Sequence, residues 1–182
     1  GVTAYSSQQT INKNQFHFHF SGLHEAIVSE AEKQFLPRLL DLPELSLEKR
    51  WLNSETAKNL KKKIVIEKGI PEEDIIWVDE DGSDYEDFSY RAQRKVLKYV
   101  CEEIKKQYPE QFKDSSEVYK LFLKAHFTGQ LLPIARLMEK TFGEGSFRLL
   151  GNMETSNESG ILHLESLQKA RVRYLRESLK EK

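Results

Sequence analysis

The sequence predicts a helix-dominated α/β or α+β domain, a small sheet of about four short strands covered by five or six helices. Three observations lead there. Phe16, Phe18 and Phe20 alternate with His17 and His19, the period of a half-buried strand. Ile75-Ile-Trp-Val78 is a short, continuous apolar run of β-branched and aromatic residues that leads to an Asp-Gly turn. Elsewhere apolar residues recur every three or four positions, as on the buried side of an amphipathic helix.

Residues 1–14 are polar and without periodicity, and read as a loose lead-in to one mixed domain over 15–182. After the Phe16–Phe20 strand, Leu23, Ile27, Ala31, Phe35 and Leu39 form a helical stripe that Pro37 bends or ends. Residues 46–68 are helical in two pieces, with a break near Asn53-Ser54 and Ser54 suited to cap the second. Gly69 is a left-handed stop, and Ile70-Pro71 turns the chain toward the strand at 75–78. Ala92, Val96, Val100 and Ile104 mark a helix between Phe88 and Tyr108 that Pro109 stops. Asp114 and Glu117 stand at capping-box spacing before Val118, Leu121, Phe122 and Ala125, and Gly129 ends that helix. Leu132 to Phe142 makes a short helix closed by Gly143. Ser146–Leu150 and Ile161–Leu164 read as two further strands joined by the polar loop 151–160, and residues 165–180 as a closing basic helix.

In this chain of 182 residues, 38% are hydrophobic and 31% charged, a composition that forms a core in water. The first residue is Gly, which reads as a piece of a larger or processed protein. No apolar run approaches the ~18 residues of a membrane span, so no membrane partner is expected. The single Cys101 cannot close an internal disulfide and reads as a buried small hydrophobe, which points to an intracellular, cytoplasmic or nuclear setting.

The net charge of −1 disfavours a strongly electrostatic nucleic-acid binder, but the charge is segregated. Nine acids and no bases fall between Pro71 and Phe88, whereas Lys169 to Lys182 holds six bases against two acids. Lys169, Arg171, Arg173 and Arg176, with Tyr174 among them, are the candidate nucleic-acid contacts. Bases near a helix C-terminus also oppose its dipole, the purely structural account of the same residues.

Two groups suggest metal chemistry. Alternation puts His17 and His19 on one strand face, about 7 Å apart, where neutral imidazoles can share a divalent ion. The same pattern also describes the wet side of a half-exposed strand. Asp79 and Asp81 follow the apolar strand, where magnesium-dependent phosphoryl chemistry often takes its ligands. An acid-rich Asp-Gly turn is the structural alternative there. No phosphate loop, GxGxxG, GxSxG or HExxH pattern occurs, and one Cys excludes zinc-finger spacing.

His17-Phe-His19 resembles the HxH of the amidohydrolases, whose barrel takes roughly 250 residues and alternates strands with helices. The phrase from Ser54 to Pro71 is similar to the helix and Gly-Ile-Pro turn of ubiquitin, through Ser54, Thr56, Asn59, Lys61, Lys63, Ile64, Gly69, Ile70 and Pro71. It implies a helix-to-strand unit and no family.

The resulting expectation is a non-enzymatic interaction or regulatory module of a larger intracellular protein, working without a cofactor through a protein partner or self-association. The alternatives are nucleic-acid binding by the closing helix and a metal-dependent hydrolase or nuclease using Asp79/Asp81 with His17/His19.

Overall fold

A computed structural model describes residues 7–12 and 15–180, with side chains from His19 onward. In chain order the elements are β1 (Ser7–Asn12), β2 (Gln15–His19), α1 (Ser21–Leu39), α2 (Ser46–Leu52), α3 (Glu55–Lys68), β3 (Ile75–Val78), β4 (Tyr85–Asp87), α4 (Arg91–Gln107), α5 (Ser115–Thr128), α6 (Leu132–Phe142), α7 (Ser146–Gly151) and α8 (Asn157–Lys180). Short 3-10 turns at Pro43–Leu45 and Glu72–Asp74 precede α2 and β3. Helix dominates, as expected from the sequence, but the strands form two separate antiparallel pairs, β1-β2 and β3-β4, instead of one sheet.

Two expected strands are helices. Ser146–Leu150 lies in α7 and Ile161–Leu164 in the first turns of α8. Short apolar runs carry no period of their own, and here packing decides: Leu150 is fully buried in a helical cluster, while Ile161 and Leu162 face solvent on α8. Conversely, β1 lies within the polar lead-in. Its residues pair with β2 in the register Ser7↔His19 and Gln9↔His17, so backbone hydrogen bonding makes a strand where side chains give no signal. The other residues of the lead-in and the side chains of Phe16, His17 and Phe18 lie outside the described residues.

The chain divides into two compact units: Gly1–Val28 with Tyr90–Lys182, and Ser29–Ser89. The first is a helical cluster. Leu23 and Ile27 from α1, Val96, Val100 and Ile104 from α4, Phe122 from α5, Met138 and Phe142 from α6 and Leu167 from α8 share its core. Asp114 caps α5, its Oδ1 accepting from the backbone N–H of Ser116 at 2.9 Å and of Glu117 at 3.2 Å. Glu117 reaches back to the N–H of Lys113 at 2.7 Å. Gln93, fully buried on α4, donates to the carbonyls of Glu154 and Ser156 at 2.9 and 2.6 Å and so pins the turn before α8. Gly160 lets α8 approach α4: a Cβ there would stand 2.6 Å from that of Ala92.

The second unit is smaller. Ala57 and Ile64 of α3 pack on Ile75 and Val78 of β3 with Ile70, and Trp51, Leu60 and Tyr85 cover the cluster. Ser54 Oγ accepts from Ala57 N–H at 3.1 Å, and Gly69, at φ 66°, ends α3 in the left-handed region. The helix-stop-strand unit foreseen from the sequence is therefore present. In the same unit Lys33 holds the buried Asp74 at 2.7 Å.

Candidate functional site

The closing helix α8 has three sides. At about 100° per residue, Gly160, Leu167 and Arg171 share the buried one. Opposite it, Lys169, Arg173, Arg176 and Lys180 stand in an exposed row, spaced by four, three and four residues and covering about 16 Å of helix. On the flank between them, Val172, Leu175 and Leu179 are 48%, 43% and 73% exposed, continuing a line that begins at Ile161. Val172, Lys169, Arg173 and Arg176 border a shallow groove of about 600 Å³. Lys169 has one local acid, Glu165 at 3.7 Å.

Arg171 does not belong to this surface. It is 7% exposed, with Nε 3.1 Å from Glu103 Oε2, Nη1 donating to the carbonyl of Thr141 at 2.6 Å and Nη2 to Gln107 at 3.1 Å. Burial pushes the Glu103 carboxyl up, but the hydrogen bonds and charges of Lys106 and Arg171 outweigh it and hold that carboxyl below its ordinary range. Of the four candidate nucleic-acid contacts, Lys169, Arg173 and Arg176 face solvent and Arg171 is part of the core. The signal was available in the sequence, since Arg171 follows Leu167 by four residues and Gly160 by eleven, on the same helical face.

The candidate metal residues fall in different units, the histidines in the first and Asp79 and Asp81 in the second. His19 ends β2 with its Nδ1 3.1 Å from Asn152 Oδ1. It lines a cleft of about 720 Å³ with Phe20, Glu139, Phe147 and Arg148. Glu139 is engaged in building that cleft, accepting from the backbone N–H groups of Gly145 at 2.6 Å and Phe147 at 2.9 Å.

Asp79 and Asp81 lie in the second unit, which contains none of the five histidines. Asp79 Oδ2 accepts from the Ser83 hydroxyl at 2.9 Å, and Asp81 Oδ1 from the Ser83 N–H at 2.8 Å. Hydrogen bonding to the Ser83 side chain, and then to its backbone N–H, lowers the pKa of the Asp81 carboxyl. These carboxylates hold a turn. Among the described residues no group of three or more His, Cys, Asp or Glu side chains is arranged to hold a metal ion.

Two further features escaped the sequence. The His24 and His126 rings lie in tilted contact, with centroids 4.6 Å apart and planes at 38°, and burial, followed by the nearby His24, lowers the His126 pKa. Trp51 and Trp77, distant in sequence, line one cleft. Cys101 is buried on α4, in the place of a small hydrophobe. Among the described residues no helix is long and apolar enough to cross a membrane.

No protein-family model, curated protein or solved structure matches this chain. The functional reading therefore rests on the residues themselves.

Proposed function

We propose that this protein is a non-enzymatic interaction module that uses the outer side of α8 to hold an acidic, amphipathic segment of a partner protein. One observation carries the reading: the exposed row Lys169, Arg173, Arg176 and Lys180 runs beside the exposed apolar row Val172, Leu175 and Leu179. The basic row alone would suit phosphates as well as carboxylates. An apolar row gains nothing from a sugar-phosphate backbone, whereas protein interfaces pair an apolar core with a charged rim. The charge complement calls for Glu or Asp opposite the basic row, and helical spacing on both sides satisfies both rows at once.

The test uses a labelled helical peptide with a glutamate row beside a leucine row, a 20-base-pair DNA duplex, and fluorescence anisotropy. The peptide is expected to bind, more weakly with added salt. Arg173→Glu with Arg176→Glu, or Val172→Asp with Leu179→Asp, each abolish it. A duplex that binds more tightly than the peptide and ignores the apolar substitutions would replace this reading with the nucleic-acid one. Binding of neither probe would sink both.

A further inference from the structure

The two tryptophans of the chain, Trp51 and Trp77, both line one cleft of about 500 Å³ in the Ser29–Ser89 unit. Trp51 stands at the end of α2 and donates its indole N–H to the carbonyl of Val78 at 2.7 Å. That bond uses the polar edge of the ring and ties α2 to the end of β3. Trp77, half-buried on β3, comes from the neighbouring element. Leu47 adds an exposed apolar side chain, and Glu48, Asp79 and Glu80 set three carboxylates against the one guanidinium of Arg50. Beyond Glu80 the chain continues acidic, through Asp81, Asp84, Glu86 and Asp87.

Aromatic walls in an acidic field select a particular ligand. The face of an indole ring is electron-rich and attracts a cation, most strongly one that sheds water easily. A trimethylammonium group has an apolar surface that fits such walls, carries a full positive charge and asks for no hydrogen bond. An anion would meet three carboxylates. Two features favour an anion: the Arg50 guanidinium, which the three carboxylates outnumber, and the N-terminus of α3, which is already occupied, since Ser54 Oγ accepts from Ala57 N–H at 3.1 Å and Glu55 lies in the first turn. The volume falls within the ~300–1,000 Å³ of small-molecule sites.

We infer that the Trp51–Trp77 cleft binds a trimethylammonium group. The inference is independent of the α8 reading, because it concerns a different set of residues and a cationic ligand. The group has two natural sources, a free choline-like molecule or a trimethylated lysine on a protein.

Because both tryptophans line the cleft, intrinsic fluorescence reports on it directly. The probes are tetramethylammonium, choline, a trimethyllysine peptide with its unmodified counterpart, and 3,3-dimethylbutan-1-ol, the uncharged carbon analogue of choline. Choline and tetramethylammonium are expected to change the emission saturably, with the neutral analogue weaker by roughly 3- to 30-fold, the range that a cation–π contact supplies. Glu80→Gln should weaken choline binding and Arg50→Gln should strengthen it, both exposed positions where the fold is not at stake. Calorimetry on Trp77→Phe, with its melting temperature as the folding control, should show weaker binding. A trimethyllysine peptide that outbinds choline assigns the group to a protein, and the reverse order assigns it to a free amine. A neutral analogue that binds as tightly as choline would reduce the cleft to an apolar depression and overturn the inference. So would the absence of saturable binding by any of the cations, or weakening by Arg50→Gln.

Discussion

Arg171 Nε lies 3.1 Å from Glu103 Oε2, and this pair joins α8 to α4 inside the helical unit. Both side chains are largely buried, and Nη1 and Nη2 of the guanidinium donate to Thr141 and Gln107. Breaking a buried pair from one side typically costs ~3–5 kcal/mol, because the other charge stays in place. Glu103 keeps Lys106 at 2.6 Å, which puts Arg171→Ala at the lower end, about 3 kcal/mol. Urea denaturation checks it. A midpoint shift no larger than that of Arg173→Ala would mean that the pair contributes nothing. Arg171 is therefore unsuited to any binding test of α8, since its loss weakens the fold.

The same pair has a pH signature. The Glu103 carboxyl is held below its ordinary range in the folded protein, so its contribution is present at neutral pH and is lost as pH falls through that lowered value. Arg171→Ala should remove part of the acid sensitivity below the ordinary carboxylate range. Stability measured against pH in the two proteins should converge toward low pH, and parallel curves would contradict the assignment.

His126 acts in a higher window. Its folded pKa lies below the ordinary 6.5 through burial and the adjacent His24, so the unfolded chain takes up a proton first. Stability is fully present above 6.5 and declines as pH falls from there through the lower folded value. His126→Gln should flatten this decline. The check is the urea midpoint at pH 7.5 and 5.5 for both proteins, with an unchanged difference counting against it.

Gly160 sets how near α8 comes to α4. A methyl there would stand 2.6 Å from Ala92 Cβ and 2.9 Å from the Ala92 carbonyl carbon, closer than packed atoms allow. Despite the better helix propensity of alanine, Gly160→Ala should destabilise by about 1–3 kcal/mol through overpacking. Ala92→Gly should recover part of the loss, because the two positions touch. Thermal melts of the two single variants and the double variant measure this coupling.

The outer row should behave oppositely. Lys169, Arg173 and Arg176 are exposed, Lys169 with a contact to Glu165, and the proposed function gives them a role in binding and none in the fold. Reversing Arg173 and Arg176 should leave the melting midpoint within ~0.5 kcal/mol of equivalent stability while removing peptide binding. A large loss of stability would assign these arginines to the fold.

Periodicity and punctuation in the sequence were sufficient for most helices. The Gly129 and Gly143 stops, the Asp114 cap and the Ser54-to-Pro71 unit all stand where local chemistry requires them, since a cap or a left-handed stop acts within a few residues. Strand partners were not legible. β1 is polar and β4 acidic, and both are strands only because a neighbour's backbone accepts their hydrogen bonds. Ser146–Leu150 and Ile161–Leu164 were ambiguous for the converse reason, as three apolar residues within a span of four or five suit either period until a packing surface chooses. At the candidate sites, composition located the basic helix and the acidic loop. The Ser83 bonds to Asp79 and Asp81 are local turn contacts, within reach of the sequence, whereas only tertiary packing separated Arg171 from Arg173 and Arg176 and brought Trp51 to the same cleft as Trp77. Local interactions are written in neighbouring residues, whereas burial and long-range proximity exist only once the chain has closed on itself.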